Sequence, residues 1–163
     1  MKSNLLKTFT ANFDPEEDRI RLDCDLHIEE QAQIFFTQRL GKLFVIELVK
    51  KVEEMSVASS SRDLQTDEKL SSNEIKEPVS ISSKQIKTWL IKSIDFENLE
   101  DGFRIIFKDN ELYAVHIEGD ELLLRSILDV FFKMFYIAEW NTDCFPAWIV
   151  VKTNKESQSV TIH

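Results

Sequence analysis

Glycine is scarce in this 163-residue chain, with three residues in all, and proline and cysteine are about as rare at three and two. Glycines at 41, 102 and 119 cannot assemble a GxGxxG turn or a Walker-type loop, which excludes the glycine-dependent phosphate cradles. GxSxG, HExxH and CxxC are also missing, and with them the short signatures of serine hydrolases, zinc proteases and redox dithiols. Long hydrophobic runs are lacking too. No leader-like apolar stretch develops before Asp14, and the longest apolar stretch, 122–140, is interrupted by Arg125, Asp129, Lys133 and Glu139. The expectation is a chain without a membrane span, with Cys24 and Cys144 as free thiols in the cytoplasm. Cations are the last shortage: 20 Lys and Arg face 29 Asp and Glu, a net charge of -9. That field repels a nucleic-acid backbone or an anionic bilayer. The one local group of lysines, Lys42, Lys50 and Lys51, is interspersed with Glu47, Glu53 and Glu54, so no nucleic-acid or membrane partner is expected.

Apolar material, by contrast, is plentiful. Hydrophobic residues make up 43% of the chain, including 12 Phe, 3 Trp and 2 Tyr, which is enough to rule out wholesale disorder. Between Phe44 and Trp89 no aromatic occurs, and serines cluster at 59–61, 71–72, 80 and 82–83. This composition divides the chain into a first half (1–56), a flexible serine-rich linker or long mobile loop (57–85), a second half (86–154) and a tail (155–163).

In the first half, residues 20–28 alternate, with Ile20, Leu22, Cys24, Leu26 and Ile28 on one face, as in a half-buried antiparallel strand. Leu5, Phe9, Ala11 and Phe13 imply a strand before it, with a turn at 14–18, and Ala32, Ile34 and Phe36 a third after it. From about residue 38 the period changes: Leu40, Leu43, Phe44, Leu48, Val52 and Met55 mark an amphipathic helix. The second half follows the same order. A strand over 86–96 precedes a hairpin at 103–107 and 112–117, then Asp120 caps a long helix, 121–139, and a last strand covers 147–152. Phe13, Asp18, Ile20 and Leu22 are echoed at a constant offset by Phe96, Asp101, Phe103 and Ile105. The fold class is therefore α+β, a mainly antiparallel sheet with two amphipathic helices, and the echo suggests two βββα-like halves related by a pseudo-repeat.

Candidate chemistry is thin. Asp23, Asp25 and His27 share one strand face while Cys24 takes the other, and no second cluster completes a metal site, so the face reads as solvated and Cys24 as core. A Cys144–His116 pair lacks any sign of a third, orienting group, and His116 reads as a partly buried structural residue. The acidic turns around Asp14, Asp18 and Asp101 lack a calcium-loop frame and read as solvated. No catalytic residue, cofactor site or metal site is assigned.

The helix 121–139 carries the functional expectation. Its polar residues Arg125, Asp129 and Lys133 form one narrow stripe, which leaves an apolar circumference that needs cover on more than one side. The expected interface is Phe131, Phe132, Phe135 and Tyr136, with Arg125 and Asp129 as a rim pair. This gives a non-enzymatic protein–protein interaction module (an adaptor, assembly factor or small regulatory subunit) that binds a protein partner or itself as a homodimer. The competing reading is a small-ligand binder or enzyme with a pocket between the halves, lined by His116, Cys144, Arg104, Asp18 and Asp101.

Overall fold

Asp14 opens the first hairpin by accepting hydrogen bonds from the N–H groups of Glu16 and Glu17, both at 3.1 Å, which fixes the turn between β1 (Asn4–Asp14) and β2 (Arg19–Leu26). The computed structural model describes residues 3–60, 78–81, 86–110, 112–149 and 159–162. β1 pairs antiparallel with β2, and β2 with β3 (Gln31–Phe36). Along β2 the alternation holds through Leu26. Ile28, expected on the buried face, is 51% exposed, because the chain turns at Glu29, whose φ of 58° ends the strand.

Thr37 starts α1 (Gln38–Ser60): its hydroxyl accepts from the Leu40 N–H at 3.2 Å. Phe44, Val45, Leu48 and Val52 are its buried face. This helix runs past the expected boundary at residue 56. Most of the serine-rich segment, 61–77 and 82–85, lies outside the described residues.

The expected strand over 86–96 is two strands, β4 (Lys87–Leu90) and β5 (Ser93–Leu99). Between them the Ile91 N–H donates to the carbonyl of Phe35 on β3, and the Lys92 N–H to that of Lys108 on β6 (Gly102–Lys108). Two adjacent residues thus bond to opposite ends of the sheet. The strand order is β4-β3-β2-β1-β7-β6-β5, with β7 spanning Ala114–Gly119, so its two ends are one stretch of chain. A flat sheet would hold β3 and β6 about 19 Å apart. Yet the rings of Phe36 and Phe107 lie 5.7 Å apart, so the sheet curls around its interior.

Asp120 caps α2 (Glu121–Ile137) as expected, accepting from the Leu123 N–H at 3.1 Å. Beyond α2 the chain reverses at Glu139 (φ 56°), and the Trp140 N–H donates to the Phe135 carbonyl. Residues 147–149, expected as the start of a last strand, form a turn instead, because Pro146 accepts from Ile149; 150–152 lie outside the described residues. The C-terminal strand is β8 (Ser159–Ile162), inside the expected tail, and it pairs antiparallel with β1. The N-terminal end of β1 pairs parallel with β7 on that same edge.

The fold is α+β, a mixed sheet with two helices on its concave face. One core joins residues from both expected halves: Phe36, Phe44, Phe107 and Phe131 meet at 5.0 to 5.7 Å. The echoed residues fall in the β1–β2 and β5–β6 hairpins but in different registers: Phe13 stands across from Ile20, whereas Phe96 stands across from Ile105, the counterpart of Leu22. Their roles differ, since Asp18 is left-handed and bonded to Trp140 while Asp101 sits in an exposed turn, so the shared order does not establish a duplication.

Candidate interaction surface

Glu121 and Ser56 hold Arg125 from both sides: its Nη2 donates to Glu121 Oε1 at 2.7 Å and to Ser56 Oγ at 2.9 Å, which ties the start of α2 to the end of α1. The indole of Trp148 lies 5.1 Å from the Arg125 guanidinium, a cation–π contact on the outer flank of α2. Along that flank Leu122, Arg125, Asp129, Lys133 and Tyr136 form one helical stripe, about 21 Å from end to end. Leu122 is 66% exposed and Tyr136 61%, and Trp148 is 45% exposed beside them.

The other expected interface residues are not at the surface. Phe131 packs on Phe36 and Phe44, Phe132 on Phe145, and Phe135 on Trp140 and Phe145; all three are buried. Sheet and α1 cover one side of α2. The second side is covered by residues 140–149 folding back after Glu139, with Trp140, Phe145 and Ile149 buried there. The Phe-rich run at 131–135 is therefore core, and the signal for its cover was the apolar spacing of 140, 145 and 149.

The convex face of β1, β2 and β3 is polar and organised around Asp23. Its carboxylate accepts from Asn12 Nδ2 at 3.0 Å, Gln33 Nε2 at 2.9 Å and Arg21 Nη2 at 3.1 Å. Expected as part of a solvated face, Asp23 is 5% exposed, because these three donors replace water. Asp25 accepts from Gln31, and His27 lies exposed beyond the end of β2. No group of three metal-ligating side chains occurs among the described residues. Cys24 points into the core, and burial raises its thiol pKa well above the usual value, with Asp23 and Asp25 adding to the shift.

Asp18 is likewise more than a solvated turn: its Oδ1 accepts from the Trp140 indole N–H at 2.9 Å, which pins the segment after α2 to the first hairpin. His116 is half-buried on the convex face, where Arg104 bridges Glu97 and Glu118. Its Nδ1 is buried and has no hydrogen-bond partner among the described residues, and burial lowers its pKa. Cys144 packs against the core on the helix side, where burial raises its pKa. The sheet therefore separates His116 from Cys144. Arg104 is on the convex face as well, and Asp101 is in the β5–β6 turn, so the five residues of the pocket reading do not converge on one site.

A cleft of about 620 Å³ opens between the end of α1, the β5–β6 turn and the start of α2, floored by Met55, Phe96, Phe103 and Leu124. Three of its rim carboxylates are already matched, Glu54 with Lys51, Glu97 with Arg104 and Glu121 with Arg125, so its charge does not single out a cationic ligand. Among the described residues no helix is long and apolar enough to cross a membrane. Comparisons with protein-family models, with curated proteins and with solved structures returned no match.

Proposed function

We propose that this protein is a non-enzymatic interaction module, an adaptor, assembly factor or small regulatory subunit, and that it pairs with a second copy of itself through the outer flank of α2. The observation that supports the reading is the set of exposed anchors on and beside that helix: Tyr136 and Leu122 on α2, and the indole of Trp148 resting on Arg125. Tyr, Trp and Arg are the side chains that most often carry binding energy at protein interfaces, and the two aromatics bring large area at low entropic cost. Of the residues expected at the interface, Tyr136 and Asp129 are exposed and Arg125 is partly so, and the buried phenylalanines lie behind this stripe. Cytoplasmic residence fits the two free thiols, Cys24 and Cys144.

Sedimentation equilibrium tests the pairing. The unaltered chain is expected at twice its monomer mass, and Tyr136→Asp combined with Trp148→Asp is expected to return it to monomer with an unchanged far-ultraviolet circular dichroism spectrum. A chain that is monomeric before any substitution, with no concentration-dependent shifts in its α2 amide resonances, would overturn the homodimer.

A further inference from the structure

A short piece of the serine-rich segment lies against the convex face. The Val79 N–H donates to Thr10 Oγ1 at 2.9 Å, and the Ser80 carbonyl accepts from Gln31 Nε2 at 3.0 Å. In both bonds the sheet contributes a side chain and the segment contributes only main chain. These are groups that every residue but proline carries, so this grip does not depend on the identity of the bound side chains. Register comes from elsewhere: Val79 and Ile81 are half-buried while Pro78 and Ser80 are exposed, the two-residue alternation of an extended chain laid on a surface.

The gripping side chains are positioned by the sheet as well as by the segment. Gln31 Nε2 also donates to Asp25 Oδ1 at 2.8 Å, which orients its amide, and Thr10 stands directly across in the β1–β2 register from Asp23, the residue that gathers Asn12, Arg21 and Gln33. Thr10 is 2% exposed. The two hydrogen bonds and two half-buried apolar side chains seen among the described residues are little for a free tetrapeptide, which would lose its translational and conformational freedom on docking. The segment stays because it belongs to the same chain, which gives it a high effective concentration.

We infer that the convex face of β1, β2 and β3 is a docking surface for an extended peptide with apolar residues at alternate positions, and that residues 78–81 occupy it in cis as a built-in competitor. The surface is separate from the α2 flank, so the inference stands whether or not the chain forms a homodimer. A peptide of that pattern supplied in excess competes with the internal segment for the Thr10 hydroxyl and the Gln31 amide.

The test uses a fluorescein-labelled peptide with the sequence of residues 76–83, titrated by anisotropy into the full chain. Val79→Pro removes the N–H that Thr10 accepts, and is expected to bind the peptide at least about tenfold more tightly than the unaltered chain, because the internal competitor is weakened. Adding Thr10→Val to that variant is expected to abolish the gain. Equal affinity for the unaltered chain and Val79→Pro, or a gain that survives Thr10→Val, overturns the inference. A second measurement covers the case in which Val79→Pro disturbs folding. In the unaltered chain the Val79 amide is expected to be protected from hydrogen exchange and to exchange faster when the unlabelled peptide is added. A Val79 amide that exchanges at the rate of a free peptide, or one whose protection the peptide leaves unchanged, also overturns it.

Discussion

On the concave face, Phe36, Phe44, Phe107 and Phe131 meet at ring distances of 5.0 to 5.7 Å and exclude every polar side chain from their midst; on the convex face, Asp23 sits almost as deeply buried but is held by Asn12, Arg21 and Gln33. The same strands build both faces, since alternate residues point to opposite sides. Hydrophobic burial is non-directional and rewards close contact, so the concave face tolerates helices arriving from both halves of the chain. Hydrogen-bond networks are directional and penalise any missing partner, so the convex face has a fixed pattern of donors and acceptors. A fixed polar pattern can grip a peptide backbone, whereas a packed aromatic cluster offers a peptide no donors or acceptors.

Removing a ring from the concave cluster is the largest way to break that contrast. Phe131 touches Phe36 and Phe44 and is 1% exposed, so Phe131→Ala leaves a cavity that its rigid neighbours cannot close. A loss of about 3–5 kcal/mol is expected in urea unfolding. A loss near that of a surface substitution would mean that the cluster is loosely packed and that the phenylalanines are available to a partner after all.

On the convex face the corresponding substitution is Asp23→Ala. It strands the side-chain donors of Asn12 and Gln33 and removes the ion pair of Arg21, whose guanidinium remains partly in water. The expected cost is about 1–3 kcal/mol, smaller than the aromatic deletion because water reaches Arg21. Adding Asn12→Ala should then cost less than it does in the unaltered chain, since both changes remove members of one network. Simple additivity of the two would show that the convex groups act separately.

Much of the concave side was legible in the sequence, and little of the convex side was. Alternation at 20–26 and 32–36, the change of period at 38 and the Asp120 cap each follow from local rules, because strand faces and helix caps are set within a few residues. The division of 86–96 into β4 and β5 was not legible, since it depends on Phe35 and Lys108, carbonyl acceptors on strands far away in the chain. The burial of Phe132 and Phe135 depends likewise on Glu139 adopting a left-handed backbone, which a glutamate does not advertise. Asp23 reads as solvent-facing in any one-strand view, and its three donors come from β1, β2 and β3 together. Of the expected interface, Arg125, Asp129 and Tyr136 are at or near the surface because polar spacing on one helix is a local property.

His116 gives the smallest expected effect and the sharpest test of the contrast, because it is a convex-face residue with a buried nitrogen that has no hydrogen-bond partner among the described residues. Burial lowers its pKa, Arg104 acts in the same direction, and Glu118 and Glu97 oppose them. A base whose pKa is lower in the folded chain than in the unfolded one binds fewer protons when folded, so its protonation favours unfolding. Its neutral form is fully compatible with the fold above the unfolded imidazole value of about 6.5, and stability is lost as the pH falls below that value. Melting temperatures measured between neutral and mildly acidic pH should therefore fall less steeply for His116→Gln than for the unaltered chain. Equal slopes would mean that Glu118, 3.7 Å from Nε2, compensates the imidazolium fully, and that this part of the convex face accepts a charge as readily as Asp23 does.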